Sequence, residues 1–177
     1  MEKPKKSLSQ NFLIDKNISK KIVDQTIVKG NDILEIGPGY GFLTDSILEK
    51  NPKKVYLIEK DYNLKKILIK KYKNNNKVNI IGDDILLTNL SEFKNLIVIS
   101  NLPYNISSKI ILYLFSYKKN IYEMIFMIQK EMSLKFDYNL TKMNKYKFLT
   151  KVVSNYSRCF DVSSNVFFPR PKVNQPL

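Results

Sequence analysis

The tetrapeptide Asn101-Leu102-Pro103-Tyr104 places an amide, a proline and an aromatic ring directly after an apolar run, residues 96–99. The apolar run predicts a buried strand, and open α/β sheets hold ligands in the loops that follow such strands. An amide accepts hydrogen bonds from an exocyclic amino group, and a tyrosine ring stacks on a flat base. The tetrapeptide therefore has the chemistry to hold an adenine or a cytosine, although Asn and Pro are also ordinary turn residues.

A second candidate site comes earlier, where Gly37, Gly39 and Gly41 follow the apolar stretch 32–36. Glycines there let the backbone approach a ligand that side chains would exclude. Glu59 stands at the end of the next predicted strand, where a carboxylate can bind both hydroxyls of a ribose. Asp84 ends the strand after that, placed to accept from an adenine amino group or to order the adjacent backbone. This pattern predicts a nucleotide-like cofactor.

Such a loop could bind a dinucleotide or S-adenosylmethionine, and Pro38 helps to decide between them. A dinucleotide needs backbone donors at a helix N-terminus for its pyrophosphate, and a proline removes one of them. A cofactor without phosphates tolerates the loss. The loop therefore favours S-adenosylmethionine.

The composition excludes several common kinds of catalytic and metal site. The chain has no histidine and a single cysteine, Cys159, so the usual zinc-ligand sets, a Ser-His-Asp triad and a Cys-His pair are excluded. A net charge of +14 suits a polyanionic partner such as RNA, but codon bias in an AT-rich genome could produce the same abundance of lysine. No signal peptide or apolar run long enough to span a membrane is present, so we expect a cytoplasmic protein without membrane or metal.

The elements that must position these residues alternate along the chain. The patterns predict an α/β fold with a mostly parallel sheet and helices on both faces. Predicted strands cover 32–36, 55–58, 78–81, 96–99, 124–128 and, more weakly patterned, 158–162; predicted helices cover 14–28, 42–48, 61–73, 107–115 and 146–154.

Together these features resemble the class I S-adenosylmethionine-dependent methyltransferases, which have a Rossmann-like fold. Within that class the chain resembles the rRNA adenine N6,N6-dimethyltransferases, and it fits the small-subunit branch best. Five segments carry the resemblance: Ser9-Gln10-Asn11-Phe12-Leu13, Leu34-Glu35-Ile36-Gly37-Pro38-Gly39, Asn101-Leu102-Pro103-Tyr104-Asn105-Ile106-Ser107, Phe126-Met127-Ile128-Gln129-Lys130-Glu131 and Phe167-Phe168-Pro169-Arg170-Pro171-Lys172-Val173.

The resemblance implies a substrate and a set of roles. The substrate would be two adjacent adenosines in the 3′-terminal hairpin of small-subunit rRNA, within the immature small ribosomal subunit. The enzyme would act as a monomer and dimethylate both adenosines. Asn11 and Leu13 would close over the cofactor, which Gly37 and Gly39 would line. Glu59 would hold its ribose and Asp84 its adenine.

For the target base, the resemblance implies that Asn101 bridges the cofactor and the amino group. The backbone carbonyl of Leu102 or Pro103 would share the amino hydrogens, and Tyr104 and Phe167 would sandwich the flipped base. Phe167 could equally be a core aromatic, the commoner fate of phenylalanine.

The chain departs from the family at its end. Family members usually continue past the Pro-Lys-Val segment into a small helical domain that helps clasp the RNA, whereas this sequence stops at Leu177. We expect a lead-in segment and helix over 1–30 and a methyltransferase domain over 31–177 without the usual helical domain, either as a fragment or as a reduced form. Tyr146-Lys147 also replaces a usual Tyr-Gly pair.

Four alternatives remain open. The fold could serve a non-catalytic RNA-binding factor in ribosome assembly or transcription, although such a scaffold would not need Glu59, Asp84 and Asn101. A large-subunit rRNA methylase usually differs in the Glu-Ile-Gly-Pro-Gly and Phe-Met-Ile-Gln-Lys-Glu segments. A DNA adenine methylase more often carries a proline where this chain has Leu102. A small-molecule methyltransferase would leave the charge and the Tyr104 and Phe167 pair unexplained.

Overall fold

The computed structural model of the chain describes residues 11–140 and 142–169. Five strands form one parallel sheet in the spatial order β4-β3-β2-β5-β6, and β1 and β7 form a separate antiparallel pair. The predicted α/β architecture is confirmed. The strands are β1 (Phe12–Leu13), β2 (Asp32–Ile36), β3 (Lys54–Ile58), β4 (Val78–Ile81), β5 (Leu96–Asn101), β6 (Ile121–Met127) and β7 (Phe167–Phe168); the helices are α1 (Lys16–Val23), α2 (Phe42–Glu49), α3 (Tyr62–Tyr72), α4 (Ser107–Phe115), α5 (Lys130–Phe136) and α6 (Lys145–Val153).

Two apolar clusters cover the two faces of the sheet. Successive side chains of a strand point to opposite faces, so Ile33 joins one cluster while Leu34 and Ile36 join the other. Helices α1, α2 and α3 contribute to the first cluster, and α4 and α5 to the second. The expected packing of helices on both faces of the sheet is confirmed.

Side-chain caps fix where two helices next to the site begin. The Asp15 carboxylate accepts from the Ile18 N–H at 3.0 Å, and the Asp61 carboxylate accepts from the Asn63 N–H at 2.9 Å. Each satisfies an N–H that the first turn of a helix leaves free. The caps place the start of α1 directly after β1 and the start of α3 directly after Glu59.

Helix α1 is shorter than the predicted helix over 14–28. It begins after the Asp15 cap and ends at Val23. Ile27, which lies inside the predicted range, is 76% exposed. Its side chain therefore supplies no burial that would extend the helix. The boundary between a lead-in segment over 1–30 and a domain over 31–177 stays a prediction.

The predicted strand over 158–162 is wrong, since those residues form no regular element. Phe160 and Val162 pack individually against the first apolar cluster, while Arg158 and Asp161 form an exposed ion pair. The alternating apolar pattern therefore reflects the packing of single side chains and not hydrogen-bonded pairing between strands. Helix α5, which the sequence analysis did not predict, buries Phe136 in the second cluster.

None of the helices in the described ranges has the length and apolar character of a transmembrane segment. The same residues hold no group of three His, Cys, Asp or Glu side chains that could bind a metal ion. Residues 1–10 and 170–177 lie outside the described part of the chain, and with them the beginning of the first family-like segment and the end of the last.

Candidate active site

A cavity of about 320 Å³ opens at the carboxyl ends of β2, β3 and β5, beside the turn that follows β4. Its size is that of a small-molecule site, and its position is where open parallel sheets hold ligands. All the predicted site residues except Phe167 line this cavity; they are Asn11, Leu13, Gly37, Gly39, Glu59, Asp84, Asn101, Leu102, Pro103 and Tyr104.

The glycine loop between β2 and α2 has a backbone that side chains would strain. Gly37 and Gly39 both have positive φ angles, 64° and 60°. At Gly37 a Cβ would meet nothing within 4 Å, whereas at Gly39 it would lie 2.6 Å from the Phe12 ring. The N-terminal segment therefore lies directly on the loop at Gly39.

The Glu59 carboxylate is fixed from two sides. One oxygen accepts from the Gly39 N–H at 3.2 Å, and the other accepts from the Asp61 N–H at 2.8 Å. The side chain is buried, and this burial raises the pKa of the carboxyl group above its ordinary value. Because Glu59 also lines the cavity, the glycine loop and the predicted ribose-binding group are held in one arrangement.

Asp84 orders the adjacent backbone, one of the two roles that the sequence allowed, and its contact with the cofactor adenine stays a prediction. One of its oxygens accepts from the Leu86 N–H at 3.0 Å and orders the turn after β4, while the other pairs with Lys60 at 2.7 Å. The Lys60 ammonium holds the pKa of the Asp84 carboxyl below its usual range. Its neighbour Asp83 is exposed, and both carboxylates lie at the cavity.

Asn101 presents a buried acceptor to the cavity. Its Nδ2 donates to the main-chain carbonyl of Asn11 at 2.9 Å, which fixes the orientation of the amide. Within the described residues, Oδ1 is buried and has no hydrogen-bond partner. A buried acceptor without a partner is costly, so this oxygen is suited to an N–H group of a ligand.

Of the two aromatic residues predicted to stack on the base, Tyr104 lines the cavity and Phe167 does not. The Tyr104 hydroxyl is buried without a partner in the described chain; burial raises its pKa to about 12. Phe167 lies opposite Leu13 in the β1–β7 pair and packs in the first apolar cluster. Tyr104 and Phe167 both line a second, adjoining cavity of about 640 Å³. The sandwich of a base between them stays a prediction.

Glu35 is a cavity residue to which the sequence analysis gave no role. Its carboxyl group is buried, accepts from the Thr44 hydroxyl at 2.6 Å, and has a pKa raised by burial to about 8. The signal was present, since Glu35 opens the glycine pattern. Lys60 and Lys109, which are exposed at the cavity, were also missed, because lysine is so common in this chain that no pattern singles them out.

The cavity fits a nucleoside cofactor without phosphates. Glu59 and Asp84 stand at neighbouring strand ends as acceptors for hydroxyl and amino groups, and Pro38 contributes no donor to the glycine loop. The fold is that of the class I S-adenosylmethionine-dependent methyltransferases.

The chain belongs to the ribosomal RNA adenine dimethylase family, whose sequence model matches residues 1–177. It is 40% identical to ribosomal RNA small subunit methyltransferase A of Malacoplasma penetrans over 97% of this chain, and 38% identical to the protein of the same name from Pelagibacter ubique over 99%. The chain spans 64% of the first of these relatives and 69% of the second.

Two solved structures share the fold. The 23S rRNA methyltransferase ErmE superposes with a TM-score of 0.80 over 93% of this chain and 67% of its own, at 21% identity. A dimethyladenosine transferase from Plasmodium falciparum superposes with a TM-score of 0.76 over 91% of this chain and 59% of its own, at 25% identity.

Proposed function

We propose that this chain transfers methyl groups from S-adenosylmethionine to the exocyclic N6 of adenosines in small-subunit rRNA. The observation that carries the proposal is the buried Oδ1 of Asn101, an acceptor without a partner in the described chain, at the cavity. An adenine amino group is the donor that such an oxygen lacks. The small-subunit rRNA methyltransferases named above support the choice of substrate.

Seven residues that line the cavity would hold the cofactor: Asn11, Leu13, Gly37, Gly39, Glu59, Asp84 and Asn101. When bound, S-adenosylmethionine supplies a methyl group already activated on a sulfonium. The protein must then orient the adenine nitrogen, whose lone pair is delocalised into the ring. Holding two groups in reactive geometry can lower a barrier by roughly 7–11 kcal/mol.

Two acceptors would orient that nitrogen. Asn101 Oδ1 accepts one amino hydrogen, and a backbone carbonyl accepts the other. The Pro103 carbonyl already accepts from the Ile106 N–H at 3.3 Å, which favours the Leu102 carbonyl for this role. The nitrogen becomes acidic only once it is alkylated, so no general base is needed before transfer, in keeping with a chain that has no histidine.

The base would reach these acceptors by leaving its stack, at a cost of a few kcal/mol. Stacking on Tyr104 would offset that cost, since base–aromatic stacking is worth about 1–3 kcal/mol. Phe167 lines the adjoining cavity together with Tyr104, and it would form the other side of the base sandwich.

The finer parts of the proposal concern the partner and the setting. The target is the pair of adjacent adenosines in the 3′-terminal hairpin of small-subunit rRNA, within an immature small ribosomal subunit. The enzyme acts in the cytoplasm as a monomer during ribosome biogenesis. The net charge of +14 favours binding to the RNA backbone.

The test is to incubate the chain with radiolabelled S-adenosylmethionine and unmethylated small ribosomal subunits, and to map the label by primer extension. Label at the paired 3′-hairpin adenosines is the expected result. Label at another rRNA position would contradict the target. Cofactor binding without any label would contradict catalysis by this chain and favour a non-catalytic RNA-binding factor.

A further inference from the structure

Helix α3 contacts the glycine loop through two side chains, those of Lys71 and Tyr72. The Lys71 ammonium donates to the carbonyls of Tyr40 at 3.0 Å and Gly41 at 3.2 Å. The Tyr72 hydroxyl lies 3.0 Å from the same Gly41 carbonyl. Lys71 and Tyr72 do not line the cofactor cavity, so these contacts act on the loop and not on the cavity itself.

Asp45, in α2, joins the two side chains of α3. Its carboxylate accepts from the Lys71 ammonium at 2.7 Å and from the Tyr72 hydroxyl at 2.7 Å. The hydroxyl has one proton, which the Gly41 carbonyl and Asp45 share. At Gly41, where φ is +77°, a Cβ would lie 2.4 Å from the Tyr72 hydroxyl, so the loop backbone lies directly against the ring.

The other end of α3 reaches the same loop through Glu59. The backbone N–H of Asp61, the cap of α3, donates to one Glu59 oxygen, and the Gly39 N–H donates to the other. One helix therefore contacts the loop at Gly41 and, through Glu59, at Gly39. This arrangement fixes the distance between the loop and the proposed ribose-binding carboxylate.

We infer that Lys71 and Tyr72 are positioning residues, which hold the glycine loop in the conformation that binds S-adenosylmethionine. This inference rests on the proposed function and extends it to residues that do not touch the cofactor. Since they act on the loop and not on the target amino group, they set the affinity for the cofactor and leave the rate of methyl transfer at saturation unchanged.

The test compares Tyr72→Phe and Lys71→Met with the wild-type chain by calorimetry with S-adenosylmethionine and by steady-state kinetics. Each substitution removes hydrogen bonds but retains the apolar part of the side chain. We expect each to raise Kd and KM for the cofactor about five- to tenfold, with kcat within about twofold. The double variant should lose less than the product of the single effects, because both side chains share Asp45.

The matched controls are Tyr62→Phe and Lys70→Met, on the same helix but exposed. They should bind the cofactor as the wild type does, and Lys71→Arg, which retains a charged donor, should recover most of the affinity that Lys71→Met loses. If Tyr72→Phe fails to fold by circular dichroism, the partly exposed Lys71 decides the matter.

Two results would overturn the inference. Unchanged cofactor affinity in folded Lys71→Met would show that the contacts do not position the loop, and a loss of stability alone would assign them a structural role only. If the wild-type chain does not bind S-adenosylmethionine, the proposed function fails and this inference fails with it, whereas wild-type binding with unaffected variants contradicts the inference alone.

Discussion

The side-chain Nδ2 of Asn101 donates a hydrogen bond to the main-chain carbonyl of Asn11 at 2.9 Å, although the two residues are 90 positions apart in the sequence. This bond orients the amide so that its oxygen is the group left to accept from a ligand. It also ties the N-terminal segment to the site. The next residues of that segment pair with β7, where Leu13 lies opposite Phe167. The β1–β7 pair therefore links residues proposed to bind the cofactor with a residue proposed to bind the base.

Replacement of Glu59 by glutamine should weaken cofactor binding. An amide NH₂ cannot accept from the Gly39 or Asp61 N–H, so one of the two bonds that fix the side chain is lost. We expect Kd for S-adenosylmethionine to rise about tenfold or more, since bonds to charged groups are the stronger ones. Calorimetry measures the change, with the exposed Glu92→Gln as the control. Equal affinity in the two variants would contradict a role for Glu59 in binding.

Alanine at Gly39 should destabilise the protein more than alanine at Gly37. Both residues have positive φ, so both substitutions carry about 1–2 kcal/mol of backbone strain. Only at Gly39 does the new Cβ also collide with the Phe12 ring. Urea unfolding of the two variants measures the difference in the free energy of unfolding. Equal losses would show that Phe12 does not lie on the loop in solution.

The stability of the wild type should depend on pH through Glu35. In the unfolded chain this carboxyl group is ionised above about pH 5, while in the folded chain burial raises its pKa to about 8. The folded state therefore binds one more proton in this range, and its stability falls as the pH rises through it. The contribution of the protonated Glu35 to stability is fully present below the pKa of Glu35 in the unfolded chain. It is lost as the pH rises past the pKa of Glu35 in the folded chain.

Glu35→Gln is the variant that isolates this effect, because its amide stays neutral while Glu59 is retained. The difference in the free energy of unfolding, wild type minus variant, should fall between about pH 5 and about pH 8, by up to roughly 1.4 kcal/mol for each pH unit. Urea titrations at both ends of the range measure it. A difference independent of pH would show that Glu35 is ionised in the folded protein.

Tyr104 should act through its ring and not through its hydroxyl. The hydroxyl is buried without a partner in the described chain, so Tyr104→Phe should retain stability and methyl transfer. Tyr104→Ala removes the ring on which the base would stack, and we expect a loss of about tenfold or more in kcat/KM for the RNA. Kinetics at saturating cofactor measure both. Similar losses in the two variants would assign the effect to the hydroxyl.

Most of the sheet could be predicted from the sequence, because strands buried on both faces form continuous apolar runs. The predicted bounds of β2, β4 and α4 agree with the structure. The errors lie where local pattern and tertiary packing disagree. Ile27 lies within the predicted range of α1 but is exposed, and Phe160 and Val162 alternate like a strand without pairing as one.

The site was predictable where backbone chemistry restricts the residue type. Glycines with positive φ, acceptors at strand ends and the polar loop after β5 all have local signals, and the fold brings them to one cavity. Partners from distant segments have no such signal. Lys71 and Tyr72 of α3 form hydrogen bonds with the Gly41 carbonyl only because α3 lies beside α2. No local sequence pattern specifies that arrangement.

We infer that the Oδ1 of Asn101, which has no partner in the described chain, orients the target amino group for methyl transfer. The most direct test is the single-turnover rate of methyl transfer to unmethylated small ribosomal subunits by Asn101→Ala, compared with the wild type at saturating cofactor, with RNA binding measured in parallel. We expect transfer to be abolished while RNA binding stays nearly intact. A variant that transfers methyl groups at the wild-type rate would contradict it.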